Sequence, residues 1–291
     1  MLFRRRRRLG GEDRAALARL LAAPTFELLP LKNAHEQAAA LPAGSTISVT
    51  ASPTKGIEAT IDLCESLQGL GFVAVPHLSA RMIRDRAHLA DLLARLRGLG
   101  TTRAFVVGGD TKEPGEFPDG LSLLRAMAEL GHPLTEVGVP CYPEGHAFIP
   151  DTALLDALRA KAEFATSMTT QMCFDAGAIA TWLAARRAEG LALPVRIGIP
   201  GVAEPHRLLA IGARIGVADT RGFLSKNTRF VARLVRSGGF YRPDRLLEEL
   251  APTASRPGSG VIDFHLYTFN NVAATEAWRA GYLARLDASA A

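Results

Sequence analysis

Three cysteines in 291 residues, Cys64, Cys141 and Cys173, are too few and too scattered for a disulfide framework. No CxxC pair exists, which excludes a Cys-type zinc site and a dithiol redox centre; the three thiols read as reduced core residues of a cytoplasmic protein. There is no HExxH, no EF-hand loop and no paired Cys/His spacing, so no metal is expected. No GxSxG elbow appears, which removes that route to a serine nucleophile. No stretch of 18 consecutive apolar residues occurs, which excludes an ordinary membrane span. No basic stripe with interleaved aromatics occurs, and nucleic acid is not an expected partner.

What is present begins with charge. The formal net charge of +5 equals the run Arg4 to Arg8; without those five arginines the chain is neutral. The polar stretch Gly10 to Arg14 follows, not an apolar segment, so a secretory leader is not expected. Residues 1–14 read as a mobile basic terminus and 15–291 as one domain. The oligomeric state stays open, a homo-oligomer included.

Eight short apolar runs have the composition of buried parallel strands: 26–31, 46–51, 72–78, 103–110, 136–142, 167–174, 194–200 and 261–269. Helical periodicity fills the gaps at 57–70, 84–99, 119–130, 151–164 and 176–188, with Asp119 and Asp151 as N-cap candidates. The long stretch after the seventh run predicts two extra helices, 205–215 and 243–250. Eight strand-then-helix units predict a single (β/α)8 TIM barrel. A doubly wound sheet would want a Gly-rich phosphate turn after the first strand, and none is there.

In such barrels chemistry sits at the C-terminal strand ends. Glu27, Thr50, His77, Asp110, Tyr142 with Glu144 and His146, Gln171, and Thr268 with Asn270 place a polar group at seven of the eight. Glu27 is an acid inside an apolar strand. Pointing inward, it would be desolvated and held protonated as a general acid; the alternative is a structural pair with a lysine such as Lys32. Asp110 follows Gly108-Gly109, glycines that let backbone approach a ligand, or else it is a turn or N-cap aspartate. His77 alone reads as a structural hydrogen-bonder. A buried Gln171 needs a partner, either a polar heterocycle or a neighbouring side chain.

Nine short motifs, in order over residues 26–270, together resemble the methylenetetrahydrofolate reductase family. Phe26-Glu27-Leu-Leu-Pro30 with Lys32 is similar to F-E-F-F-P-P-K, and Val49-Thr50 to V-T. His77-Leu-Ser-Ala80 resembles H-L-T-C, Gly109-Asp110 the end of R-G-D, and Tyr142-Pro-Glu-Gly-His146 Y-P-E-x-H. Leu158-Arg-Ala-Lys161 resembles L-K-x-K, and Thr170-Gln171-Met-Cys-Phe-Asp175 T-Q-x-x-F-D. Gly198-Ile-Pro-Gly201 resembles G-I-x-P, and His265-Leu-Tyr-Thr-Phe-Asn270 H-F-Y-T-L-N.

The resemblance implies FAD-dependent reduction of 5,10-methylenetetrahydrofolate to 5-methyltetrahydrofolate, with NADH or NADPH as donor. By position, Glu27 would be the general acid that opens the five-membered ring, and Asp110 would stabilise the cation beside flavin and pterin. Gln171 would bond the folate, and Thr50, His77, Gly109, Tyr142, His146 and Lys161 would line the flavin. The chain departs from the pattern at Leu31, at Gly108 in place of the arginine of R-G-D, and at Leu154, Ala157 and Ala160. Those departures motivate two alternatives: a folate barrel with weak or no FAD dependence, and a non-catalytic folate-binding subunit.

Overall fold

The computed structural model describes residues 9–204 and 240–288. Eight parallel strands close into a barrel in chain order, with β8 pairing back onto β1. They are β1 (Thr25–Leu28), β2 (Thr46–Val49), β3 (Val73–Ser79), β4 (Arg103–Val107), β5 (Glu136–Cys141), β6 (Ser167–Thr170), β7 (Val195–Pro200) and β8 (Val261–Tyr267). The helices among the described residues are α1 (Gly11–Ala22), α2 (Ala34–Ala38), α3 (Glu58–Gly69), α4 (Arg86–Gly98), α5 (Gly120–Leu130), α6 (Asp151–Lys161), α7 (Ala176–Ala188), α8 (Asp244–Ser255) and α9 (Val272–Ala288). None is long and apolar enough to cross a membrane.

The expected TIM barrel is the fold observed, and every expected strand is present, most of them trimmed and the third shifted by one residue to Val73–Ser79. The first stops at Leu28, where Leu31 N–H bonds back to the Leu29 carbonyl and turns the chain. The fourth stops at Val107, because Gly109 takes a φ of 91°. Asp110 therefore lies in the loop beyond β4, not at its end. The sixth stops at Thr170, one residue short of Gln171.

Cap chemistry sets the helix starts. Asp119 caps α5 in a reciprocal box with Ser122. Asp151 is not a cap: Pro150 holds that position, and Asp151 is the first helical residue, where its charge still suits the dipole. Asp85 and Asp175 cap α4 and α7 instead. The expected helix at 243–250 is α8, which runs on through Pro252. The one expected at 205–215 lies outside the described residues, as does Arg4 to Arg8.

Three helices had no expectation. α1, starting at Gly11, packs on α8 and α9 and completes the outer layer beside β8. Arg279 of α9 donates to the carbonyls of Leu21 (2.8 Å) and Ala22 (3.3 Å), which otherwise end α1 unpaired. The short α2 completes the set, its buried face formed by Ala34 and Ala38.

Strand alternation divides the barrel into two environments. Outward-facing Phe26, Ile47, Leu78, Val106, Val139 and Phe264 are buried against the helices and form the apolar core. The inward face carries polar side chains beside Val75 and Phe105. At its N-terminal end Arg196 bonds Glu136, reaches Ser167 Oγ at 2.9 Å, and lies 3.5 Å from Asp263. Arg103 joins Glu136 at 3.2 Å, and Thr25 donates to Asp263 at 2.8 Å.

Candidate active site

Glu27 projects into the barrel from β1, near its C-terminal end, with its side chain 12% exposed. Its partner is not Lys32, which is exposed, but His265 of β8, whose Nε2 lies 3.4 Å from Glu27 Oε2. Register explains the meeting: Glu27 pairs with Tyr267, and Thr25 with His265, so the inward side chains of β1 and β8 interleave. The Tyr267 ring packs 4.9 Å from that of His265, and its hydroxyl donates to the Thr170 carbonyl at 3.1 Å. Tyr267 thereby spans from β8 to β6 above β7. Gly198 of β7 makes room; a Cβ there would meet Tyr267 Cε2 at 2.7 Å and the Thr170 oxygen at 2.3 Å.

His77 lies deeper. Its Nε2 bonds Ser48 Oγ at 2.7 Å and its ring packs on Phe105. Burial lowers its pKa to about 4, against the opposing pull of Glu27, so the ring is neutral at pH 7.

Across the mouth, Tyr142, His146 and Phe148 form an edge-on aromatic series, with centroids 5.6 and 6.1 Å apart. Phe148 is 75% exposed. Burial pushes the Tyr142 hydroxyl up and His146 down, and the charge of Asp110 acts on both. Asp110 itself is exposed. Glu144 faces the other way: it accepts from the backbone N–H groups of Phe174 and Asp175, each at 2.7 Å, and ties the loop after β5 to the start of α7.

The loop that follows Asp110 is held by a residue that sequence reasoning missed. Arg81, just after β3, donates to the carbonyls of Thr111 (2.5 Å), Lys112 (2.7 Å) and Pro118 (3.3 Å). The loop is also pinned where Gly109 crosses Ser79, whose Oγ would lie 2.0 Å from a Cβ at that position. Buried Ser79 Oγ and Thr111 Oγ1 have no hydrogen-bond partner.

The remaining candidates occupy distinct places. Gln171 follows β6, and its side-chain oxygen accepts from Met172 N–H at 3.0 Å, which is the neighbouring-group alternative for that atom. Thr50 is half-buried just beyond β2. Thr268 and Asn270 are taken up by the scaffold: Thr268 donates to the Glu27 carbonyl at 2.5 Å, and Asn270 bonds both backbone groups of Leu29. Lys161 ends α6 near Cys141 and Asp119, and burial lowers its pKa. Among the described residues no cluster of three or more His, Cys, Asp or Glu is arranged for a metal ion.

His265, Tyr267 and Ser48 were legible in principle. Asp263-Phe-His265-Leu-Tyr267 and Thr46-Ile-Ser48-Val-Thr50 alternate polar with apolar, which puts every polar member on the inward face.

No protein-family model matches the chain. The fold is similar to that of dihydropteroate synthase from Thermus thermophilus, at 16% identity over 91% of this chain and 95% of that one, with TM-score 0.43. A protein of Pseudomonas aeruginosa assigned as a dihydrodipicolinate synthetase is 12% identical over 91% of this chain and 79% of its own, with TM-score 0.44. One of Burkholderia cenocepacia assigned as a phosphonomutase is 16% identical over 77% and 97%, with TM-score 0.42. Likenesses this distant carry no argument about substrate or reaction.

Proposed function

We propose that the chain reduces 5,10-methylenetetrahydrofolate to 5-methyltetrahydrofolate, with hydride passed through a flavin from NADH or NADPH. The observation that carries this reading is Glu27: a barrel-interior carboxyl at the mouth, shielded from bulk water and paired with a histidine. Glu27 would protonate the ring nitrogen as the five-membered ring opens. Asp110, just before the Arg81-held loop, would face the cation that forms.

The flavin fit divides in two. Gly109, Tyr142, His146 and Phe148 suit a planar ring, and the bound flavin would supply the hydride. The diphosphate side is poorer. Gly108 stands where the resemblance has arginine, the Arg81 guanidinium is taken up by three carbonyls, and Leu154 and Ala157 offer no hydrogen bonds to an anion. That observation favours a second reading, in which folate is reduced without tightly held FAD.

An absorbance spectrum of the purified protein separates the two: a flavin band supports the first, and colourless active protein the second. Glu27→Gln is expected to lower kcat for methylenetetrahydrofolate-dependent NAD(P)H oxidation by about 10²-fold or more. Undiminished turnover in that variant would remove Glu27 from the acid role.

A further inference from the structure

A closed barrel is normally filled by layers of branched apolar side chains. This one is not. Thr25, Thr46, Ser48, Gly138, Thr169 and His265 line a cavity along its axis, below the mouth. Val75, Ala104 and Phe105 complete its walls, so hydroxyls and apolar groups share the lining, and the space suits about one water. Arg103 and Glu136 line its far end, with side chains 40% and 28% exposed, so that end meets solvent at the N-terminal face. Its near end is His265, itself 4% exposed, with Nε2 turned to Glu27.

We propose that His265 relays protons from this axial cavity to Glu27, recharging the acid from the N-terminal face while ligand occupies the mouth. The inference rests on the reading of Glu27 as the general acid. Glu27 gives its proton to the substrate nitrogen and becomes a carboxylate. His265 passes it the Nε2 proton and takes one at Nδ1 from water in the cavity. That water regains its proton from bulk solvent at the Arg103–Glu136 end. No electrons move; the ring is left as its Nδ1–H tautomer and regains the Nε2–H form by proton exchange with water before the next turnover, after which the net change is one proton from solvent to substrate.

The groups that bear on His265 are Glu27 from β1, His77 from β3, Arg196 from β7, and Asp263 and Tyr267 on its own strand. His77 is excluded as the relay. Its Nε2 is committed to Ser48, and its ring stays neutral near neutral pH. Glu27 and His265 stand 3.4 Å apart, and catalytic hydrogen bonds of this kind commonly tighten when substrate binds.

The test uses the full chain. His265→Gln can still bond Glu27 but cannot take a proton on one side and release it on the other. It is expected to lower kcat about 10-fold or more, with KM for folate within about twofold. Added imidazole is expected to restore part of the rate of His265→Ala, a rescue that a purely structural role would not give. Thr46→Val with Thr169→Val, which strips two hydroxyls from the cavity wall, is expected to lower kcat as well. A kcat for His265→Gln within twofold of the parent, or a slow His265→Ala deaf to imidazole, overturns the relay. Full turnover in Glu27→Gln would instead defeat the underlying reading, so the two failures are distinct.

Discussion

Glu144 carries its charge at a cost set by its surroundings. Burial raises its carboxyl to about 7, although two backbone N–H bonds pull the other way. The folded chain therefore holds a proton that the unfolded chain releases above about 4.5, and the stability this group contributes falls as pH rises from 4.5 to 7. Glu144→Gln keeps the acceptor oxygen and removes the titration. The stability difference between variant and parent is expected to move in the variant's favour by on the order of 3 kcal/mol across that window. Urea unfolding at pH 5 and pH 8 measures it, and a difference independent of pH would contradict the assignment. His77 slopes the opposite way: its lowered pKa stabilises the fold above 6.5 and costs stability as pH falls toward 4. Comparison with the parent at each pH isolates Glu144 from that effect.

At the scale of elements, the end of β1 is held by a side chain that stands in for a strand. Asn270 takes a φ of 56° and bonds the Leu29 N–H (2.8 Å) and carbonyl (3.2 Å), extending the β8 edge after its ladder has ended. Asn270→Ala leaves the Leu29 N–H without its partner, while the carbonyl keeps Leu31 N–H, and is expected to cost about 1–3 kcal/mol. Hydrogen exchange at the Leu29 amide localises the effect, and unchanged protection there would exclude the clamp. Asn270 also shows what sequence can and cannot convey. Its position at a strand end was legible, but the direction of its side chain was not, because two successive left-handed residues, Phe269 and Asn270, turn it back onto β1. Glu27 was legible because a lone acid in an apolar strand is costly without a reason. His265 was missed although its alternation marks it as inward-facing, since its meeting with Glu27 depends on the β8–β1 closure, 238 positions apart. Arg81 was missed for the same reason: its partners are backbone carbonyls about 30 positions away, and a carbonyl has no sequence signature.

For the molecule as a whole, strand order and closure followed from the alternation of apolar runs with helical periods, while the polar interior did not. The Arg196–Glu136–Arg103 group with Asp263 occupies the N-terminal end of the barrel, and burial holds Asp263 at about 6 even with Arg196 and Thr25 beside it. Arg196→Met leaves Asp263 with no cation beside it and Glu136 with Arg103 alone, and is expected to cost about 3 kcal/mol in equilibrium unfolding. A loss below about 1 kcal/mol would mean that water already screens the group. The Tyr267 hydroxyl bears on the molecule in another way. A closed sheet can flatten toward an ellipse with little change in its hydrogen bonds, but a rigid phenol ring fastened from β8 to β6 resists that deformation. The wall that carries Glu27 and the wall that carries Gln171 are thus kept at one spacing. Tyr267 acts as a gauge block for the mouth of the barrel.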